Sequence, residues 1–291
     1  MVTLFTPAYN RAHLLDRLYE SILRQTDKSF EWLIVDDGSV DNTREKIAKW
    51  IEENKIDINY IYQENAGKAA AYNNGVLNAK GDVFCCIDSD DYLTDDAVES
   101  IEKYIPDIQA DKISGMFMLK QDLDGNILGD RLPDWTEYSN AFELSDKYGL
   151  HGEWSQIYKV SVLREHPYPV IKGEKFLTDS VLFDDLSFDY KALLVNKSIN
   201  ICEYQDEGLT SNIYKCLIAN PTGYKIYNKQ RIDLTKSWKN RLSYMIKYNA
   251  FKCMSNDKEH DYNGKYRLLV KALGFTGIIG KRYYLRKYNK N

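Results

Sequence analysis

Cysteine is scarce in this chain and unpatterned: five residues (Cys85, Cys86, Cys202, Cys216 and Cys253), an odd number with no CxxC spacing. That speaks against a zinc ribbon or a disulfide framework. An adjacent pair inside an apolar run fits reduced, buried thiols of a cytosolic protein better. Histidine is as thin, four scattered residues (His13, His151, His166, His260) without HExxH or similar metal spacing. No apolar run approaches the roughly 18 residues of a spanning helix, and no basic-then-apolar leader opens the chain. A cytoplasmic protein is expected, with peripheral attachment at the inner face of a membrane left open. Neither GxGxxG nor a P-loop occurs, so nothing supports a dehydrogenase or a P-loop NTPase. Residues 6–13 hold no glycine, which counts against a nucleotidyltransferase that cradles a triphosphate after its first strand.

What is plentiful is tyrosine, 23 of 291 residues, which suits either stacking on ring-shaped polar ligands or half-buried aromatic packing. Charge is unevenly spread. Residues 231–291 carry 15 Lys+Arg against 4 Asp+Glu, net +11, while the remaining 230 carry 24 against 39, net −15, together giving the chain's −4. A basic tail therefore follows an acidic body.

The first ninety residues alternate in period. VTLFT (2–6), EWLIV (31–35), INYIYQ (58–63) and DVFCCID (82–88) read as strands. Between them, 12–25, a stretch from about Thr43, and NAGKAAAYNNGVLNAK (65–80) read as helices. This β-α-β-α-β-α-β pattern predicts an α/β fold with a mostly parallel central sheet and flanking helices, and ligands at the carboxyl ends of the strands. Residues 7–11, 36–39 and 88–91 all lie just past strand ends and should converge on one crevice. Further on, a helix is expected at about 95–105, a strand at 113–121, a turn at 124–126 and a loop over 130–150. A helix in the later half of 173–188 and a helical, basic run from about 231 to the end complete the pattern.

The crevice is rich in carboxylates. Asp88-Ser89-Asp90 is a DxD arrangement, and in extended backbone residues i and i+2 point the same way. Two carboxylates on one side can share Mg²⁺ or Mn²⁺, which take hard oxygens from protein and phosphate. A solvated acidic turn is the plainer reading of such a motif on its own.

TPAYNRAHLL, VDDGSVDNT, NAGKAAAYNNGV and DSDD occur in that order at the ends of successive β-α units. In this the sequence resembles the family 2 glycosyltransferases of GT-A fold, densely over 1–95 and more thinly to about 212. GEKFLTD (173–179) is similar to that family's acceptor-side motif, and YQDEGLTSN (204–212) to a loop of its polysaccharide-building members. The resemblance implies a catalytic domain over 1–212, with a nucleotide-binding half (1–95) and an acceptor-binding half (96–212), and a helical extension over 213–291. It implies an inverting, metal-dependent transferase of hexosyl type, moving a sugar from a UDP-sugar to a saccharide or lipid-linked hydroxyl in surface polysaccharide synthesis.

By position, the resemblance implies that Pro7, Tyr9 and Arg11 line the nucleotide pocket and that Asp37 receives a base N–H, favouring uracil or thymine. It places Lys68 near the diphosphate, Asp88 and Ser89 at the sugar nucleotide, and Asp90 with Asp88 on the metal. Asp179 occupies the position of the base that deprotonates the acceptor, although that family more often has Glu after another acid where this chain has Thr178-Asp179. Glu174, Asp184 and Asp185 are the fallbacks. Trp154, with His151, is either a platform for the acceptor sugar or core. Tyr9 could equally be core, Lys68 a surface residue, and Asp36 a structural partner.

The tail 265–291 mixes Leu268, Leu269, Ala272, Leu273, Ile278 and Ile279 with Lys271, Lys281 and Arg282. It suits an interfacial helix on anionic lipid, a helical cap docked on the sheet, or a dimer contact, with three glycines weakening any helix. A nucleic-acid partner is not expected, since no binding module is recognisable and the body is acidic. The rival functions are a catalytically silent nucleotide-sugar-binding subunit and a nucleotidyltransferase.

Overall fold

The computed structural model describes residues 1–203 and 213–288. It divides into two compact units, Met1–Pro167 with Asp189–Glu203, and Tyr168–Phe188 with the C-terminal part of the chain.

The first unit opens as the periodicity predicts: β1 (Val2–Ala8), α1 (Leu15–Leu23), β2 (Phe30–Asp36), α2 (Thr43–Glu53), β3 (Ile58–Tyr62), α3 (Lys68–Asn78) and β4 (Val83–Cys86). These four strands are parallel neighbours in the order β3-β2-β1-β4. Every residue of β2 is buried, because helices cover both sheet faces and no polar alternation is needed. On one face Tyr19 of α1 stacks on Trp50 of α2 at 4.2 Å, and both lie over Trp32 of β2.

The sheet then changes character. After β5 (Tyr92–Leu93) and α4 (Ala97–Tyr104) come β6 (Ile113–Gln121), β7 (Tyr138–Ser139), α5 (Ala141–Asp146), β8 (Trp154–Lys159) and α6 (Val160–Glu165). Strand β8 runs antiparallel to both β4 and β6, so the sheet is parallel in its first half and mixed in its second. Residues 130–150 are not only loop: β7 pairs with a later strand, and the Asn140 side chain caps α5 by accepting from Glu143 N–H.

The second unit contributes α7 (Ser180–Leu186) before the chain returns to the sheet as β9 (Lys191–Ile201), parallel to β6 and antiparallel to β5 and β7. Sequence reading gave no strand at β9. Its register against β6 shifts near Met118, Leu119 and Lys120, and such bulges break the period-two signature.

The rest of the second unit is helical: α8 (Ile213–Ala219), α9 (Pro221–Leu234), α10 (Trp238–Lys252), α11 (Arg267–Ala272) and α12 (Thr276–Tyr288). Much of the tyrosine surplus is spent here on ring contacts, including Tyr224 with Tyr227 and Phe251, and Phe251 with Tyr284. All five cysteines are free thiols. Among the described residues no helix is long and apolar enough to cross a membrane.

Candidate active site

The loops after β1 and β2 are stitched together. Asn10, in the left-handed region at φ 55°, donates its N–H to Ser39 Oγ at 2.8 Å and accepts from Val40 N–H at 2.9 Å. Ala12 N–H donates to Asp41 at 3.1 Å and Arg11 N–H to Thr43 at 3.3 Å. With the backbone held, Tyr9 and Arg11 stand out from it: the Tyr9 ring is 48% exposed, and Arg11 is exposed. Tyr9 is therefore not core. Pro7, half-buried, lies in β1 opposite Val35 of β2.

Both carboxylates after β2 work inside the fold. Asp36 is fully buried, accepting from Ser39 N–H at 2.8 Å and Tyr60 O–H at 2.7 Å. The structural reading of Asp36 holds. Asp37, also buried, clamps the loop ahead of α3: its Oδ1 accepts from Gln63 and Ala66 N–H, and its Oδ2 from Gly67 N–H, all at 2.7–2.8 Å. A carboxylate has about four acceptor positions, so Oδ2 retains the capacity for one more donor. Gly38 between the two loops has φ 82°, and a Cβ there would sit 2.8 Å from Asn65 N; only glycine fits this close crossing.

The clamp sets Lys68 at the start of α3, and its ammonium meets Asp88 Oδ1 at 2.8 Å. Here the DxD argument needs correction. Strand β4 stops at Cys86, and Asp91 N–H bonds to Asp88 C=O at 3.0 Å, closing a turn over 88–91. Strand alternation does not apply in a turn, and the three carboxylates part company. Asp88 faces Lys68. Asp91 is buried, accepting from Lys120 Nζ at 3.0 Å and Asn200 Nδ2 at 3.2 Å. Asp90 is half-buried and Ser89 buried.

Electrostatics separate them further. The Lys68 ammonium beside Asp88 holds that carboxyl below the usual carboxylate range, against burial, with Lys120 and Arg11 helping. Burial, then the negative charges of Asp88 and Asp91, push Asp90 up. A half-buried acid raised by burial and by like charges marks a place short of positive charge. Hard oxygens from Asp90 and Asp88 suit a divalent cation there, so the donor set fits Mg²⁺ or Mn²⁺. Arg11 acts on both Asp88 and Asp90, which puts the first and third loops within electrostatic reach.

Lys120 is the residue that sequence reading passed over. It is nearly buried at the end of an apolar strand. Burial works to lower its pKa, but Asp91, Cys202 and Asp88 outweigh that and keep it charged. A lysine closing the run ISGMFMLKQ was the available signal. Beside it, Leu119 pairs with Trp154 across β6 and β8, so Trp154 stands at the carboxyl edge of the same strands. Its indole N–H donates to Asp130 C=O at 3.0 Å and its half-buried ring lies over Gly152. His151 is exposed, its N–H bonded to Asp130 Oδ2 at 2.7 Å.

Asp179 belongs to the second unit, half-buried at the residue preceding α7, with its C=O accepting from Tyr168 O–H. Two fallbacks are committed elsewhere. Glu174 accepts from the N–H groups of Thr222 and Gly223 at the start of α9, and buried Asp184 holds Arg231 through two hydrogen bonds of 2.6 and 3.1 Å. Residues 204–212 lie outside the described residues.

The chain is similar to known proteins in sequence and in fold. The family model described as Glycosyl transferase family 2 matches residues 3–166. Glycosyltransferase GlyA of Streptococcus pneumoniae serotype 4 is 32% identical over 211 residues, 68% of this chain but 30% of its own length. The chain thus spans less than a third of that relative. Among solved structures, Staphylococcus aureus TarS residues 1–349 in complex with UDP-GlcNAc matches 99% of this chain and 91% of its own at TM-score 0.58 and 16% identity. The mannosyltransferase PcManGT of Pyrobaculum calidifontis, with GDP-Man and Mn²⁺, matches 98% and 86% at TM-score 0.57 and 16% identity. These two likenesses establish a GT-A glycosyltransferase fold.

Proposed function

The chain belongs to glycosyl transferase family 2, and from that premise we propose that it transfers a sugar from a UDP-sugar to a hydroxyl of a saccharide or lipid-linked acceptor, with inversion at the anomeric carbon. The observation that carries the reading is the assembly of loops at one sheet edge. Residues 10–12 are bonded to 39–43, Asp37 clamps 66–67, and Lys68 at the end of that clamp meets Asp88. UDP as the donor nucleotide also has the support of TarS, which was solved with UDP-GlcNAc.

In this reading the Tyr9 ring stacks on the base and Asp37 Oδ2 accepts its N–H. Pro7 and Arg11 flank the nucleotide, and Asp88 with Ser89 meets the ribose and diphosphate. Lys68 swings between Asp88 in the empty site and the diphosphate in the loaded one. Asp90, with Asp88, holds the divalent cation, which when bound offsets the charge that develops on the leaving diphosphate. Trp154 and His151 offer a stacking face and a polar edge to the acceptor. The acceptor oxygen attacks the anomeric carbon as the bond to the diphosphate oxygen breaks. UDP leaves with the electron pair, and the hydroxyl proton passes to the Asp179 carboxylate. A lipid-linked acceptor would be met at a membrane surface, and surface polysaccharide is the product class the reading implies.

The test is UDP release from a panel of UDP-sugars with Mn²⁺, Mg²⁺ or EDTA, comparing wild type with Asp90→Ala and Asp179→Asn. Metal-dependent release from one sugar, lost in both variants, is the expected result. Equal release by Asp179→Asn would remove that residue from the base role. UDP binding without any release would favour a silent nucleotide-sugar-binding subunit, and absence of UDP binding would end the reading.

A further inference from the structure

A helix at a protein surface normally turns its apolar stripe inward, and α12 does the reverse. Its glycines face the protein: a Cβ on Gly277 would lie 2.6 Å from Asn249 O and Cys253 Sγ, and one on Gly280 2.5 Å from Ala250 Cβ. The same inner side carries Tyr284, whose ring meets Phe251 of α10. Small residues let α12 sit close on α10, so the glycines that weaken the helix in isolation are what seat it here.

The opposite side is left to solvent. Phe275 (65% exposed), Ile278, Ile279 (64%) and Tyr283 fall at i, i+3, i+4 and i+8, and Leu268 (76%) and Leu269 are exposed on the preceding α11. On α10, Trp238, Leu242 and Ile246 are also exposed and stand on the stripe that runs on to Asn249 and Cys253, where α12 packs. Single exposed leucines need no explanation, but this many large exposed apolar side chains on consecutive helices mark an interaction surface.

Charge decides what that surface meets. Residues 265–288 contain seven Lys and Arg and no Asp or Glu. Arg282, Arg286 and Lys287 are exposed on the same side of α12 as the isoleucines, and Lys265, Arg267 and Lys271 are exposed around α11. A second copy of the chain would oppose two uncompensated positive faces. An anionic bilayer offers phosphates to the cations and acyl chains to the apolar side chains, with tyrosine and tryptophan at the headgroup level.

We propose that α11 and α12 form an interfacial docking face that binds the chain peripherally to anionic lipid bilayers. This deepens the proposed function by naming the surface where a lipid-linked acceptor is met, but its test needs no sugar transfer. The full chain is co-sedimented with phosphatidylcholine vesicles with and without phosphatidylserine, in low and high salt, with no sugar nucleotide present. The expected result is partition onto the phosphatidylserine vesicles that weakens with salt. It should fall roughly tenfold in Ile278→Ser/Ile279→Ser and in Arg282→Glu/Arg286→Glu. All four substituted positions are exposed and none lies on the side of α12 that packs on α10, so thermal midpoint and lipid-free UDP release should stay as in wild type. No partition by wild type, or equal partition by both variants, would overturn the proposal. So would self-association in sedimentation velocity that Ile278→Ser/Ile279→Ser abolishes, since the face would then belong to a second copy. Vesicle binding that persists in a chain releasing no UDP supports this inference while the sugar-transfer reading falls.

Discussion

Lysine meets aspartate in both compact units, with opposite results. In the helical unit Lys225 is wholly buried, bonded to Asp257 Oδ1 at 2.7 Å and reaching Asp261 at 3.4 Å. Burial alone would raise the Asp257 carboxyl, but hydrogen bonds from Lys225 and His260 hold it well below the usual range. Asp257, Glu259 and His260 place ligand atoms within 4.8 Å of one another, yet this cluster already contains its cation. At the sheet edge Lys68 and Asp88 are both partly exposed, and Asp90 beside them is pushed up rather than down. Counting acids does not distinguish the two places. The balance of charge does: one cluster holds its lysine at its centre, and in the other burial and the charges of Asp88 and Asp91 leave Asp90 raised.

The largest effect should come from the sheet-edge cluster. Asp90→Ala, or EDTA on the wild type, is expected to lower UDP release roughly a thousandfold, because stabilisation of the leaving diphosphate is lost. Thermal stability without ligand should barely change in Asp90→Ala. Activity that survives both treatments would break the comparison at its functional end.

At the Lys225 cluster the expectation reverses. Lys225→Met removes a wholly buried ammonium from two partly exposed carboxylates, of which Asp261 keeps Lys252 and Asp257 keeps His260 N–H. It should cost about 1.5–3 kcal/mol of stability, the worth of hydrogen bonds to charged groups, read as a fall in denaturation midpoint of the full chain. The pH dependence sharpens this. Asp257 and Asp261 sit lower in the folded chain than unfolded. The stability they lend is therefore fully present above the unfolded carboxyl pKa of about 4 and drains away as pH falls through their folded values. The gap in thermal midpoint between wild type and Lys225→Met should hold from neutral pH down to about pH 5 and narrow below pH 4. A gap that widens on acidification would mean the pair is not what Lys225 contributes.

The first four strands and three helices were legible because their signals are local: period two or 3.6, and Asp or Gly punctuation at each strand end. The loops 7–11, 36–39 and 88–91 were correctly expected at one sheet edge for the same reason. What escaped depends on distant pairing. Asp91 reads as a third site acid until Lys120 and Asn200, the latter 109 residues away, turn it inward. Glu174 and Asp184 look available until Thr222 and Arg231 claim them. Strand β9 hides because its bulges against β6 spoil the alternation. Side-chain direction in the DxD turn, unlike its position, was not in the sequence pattern, since a turn has no period.

The smallest expected effect on activity, and the contrast that separates the two clusters most sharply, belongs to Lys68→Met. Its partner Asp88 is 44% exposed in the side chain and Lys68 itself 34%, so solvent screens the pair and little stability rests on it. Loss of the pair should change unfolding free energy by less than about 1 kcal/mol. The same change removes the ammonium expected at the diphosphate, so the KM for the donor should rise about tenfold, the fold-change of a charge-assisted contact. Lysine-to-methionine substitution is thus the same chemical change at both sites, and only the environment differs. If Lys68→Met lowered the denaturation midpoint as far as Lys225→Met and left KM alone, the sheet-edge pair would be a structural bridge like the other, and Lys68 would have no claim on the donor.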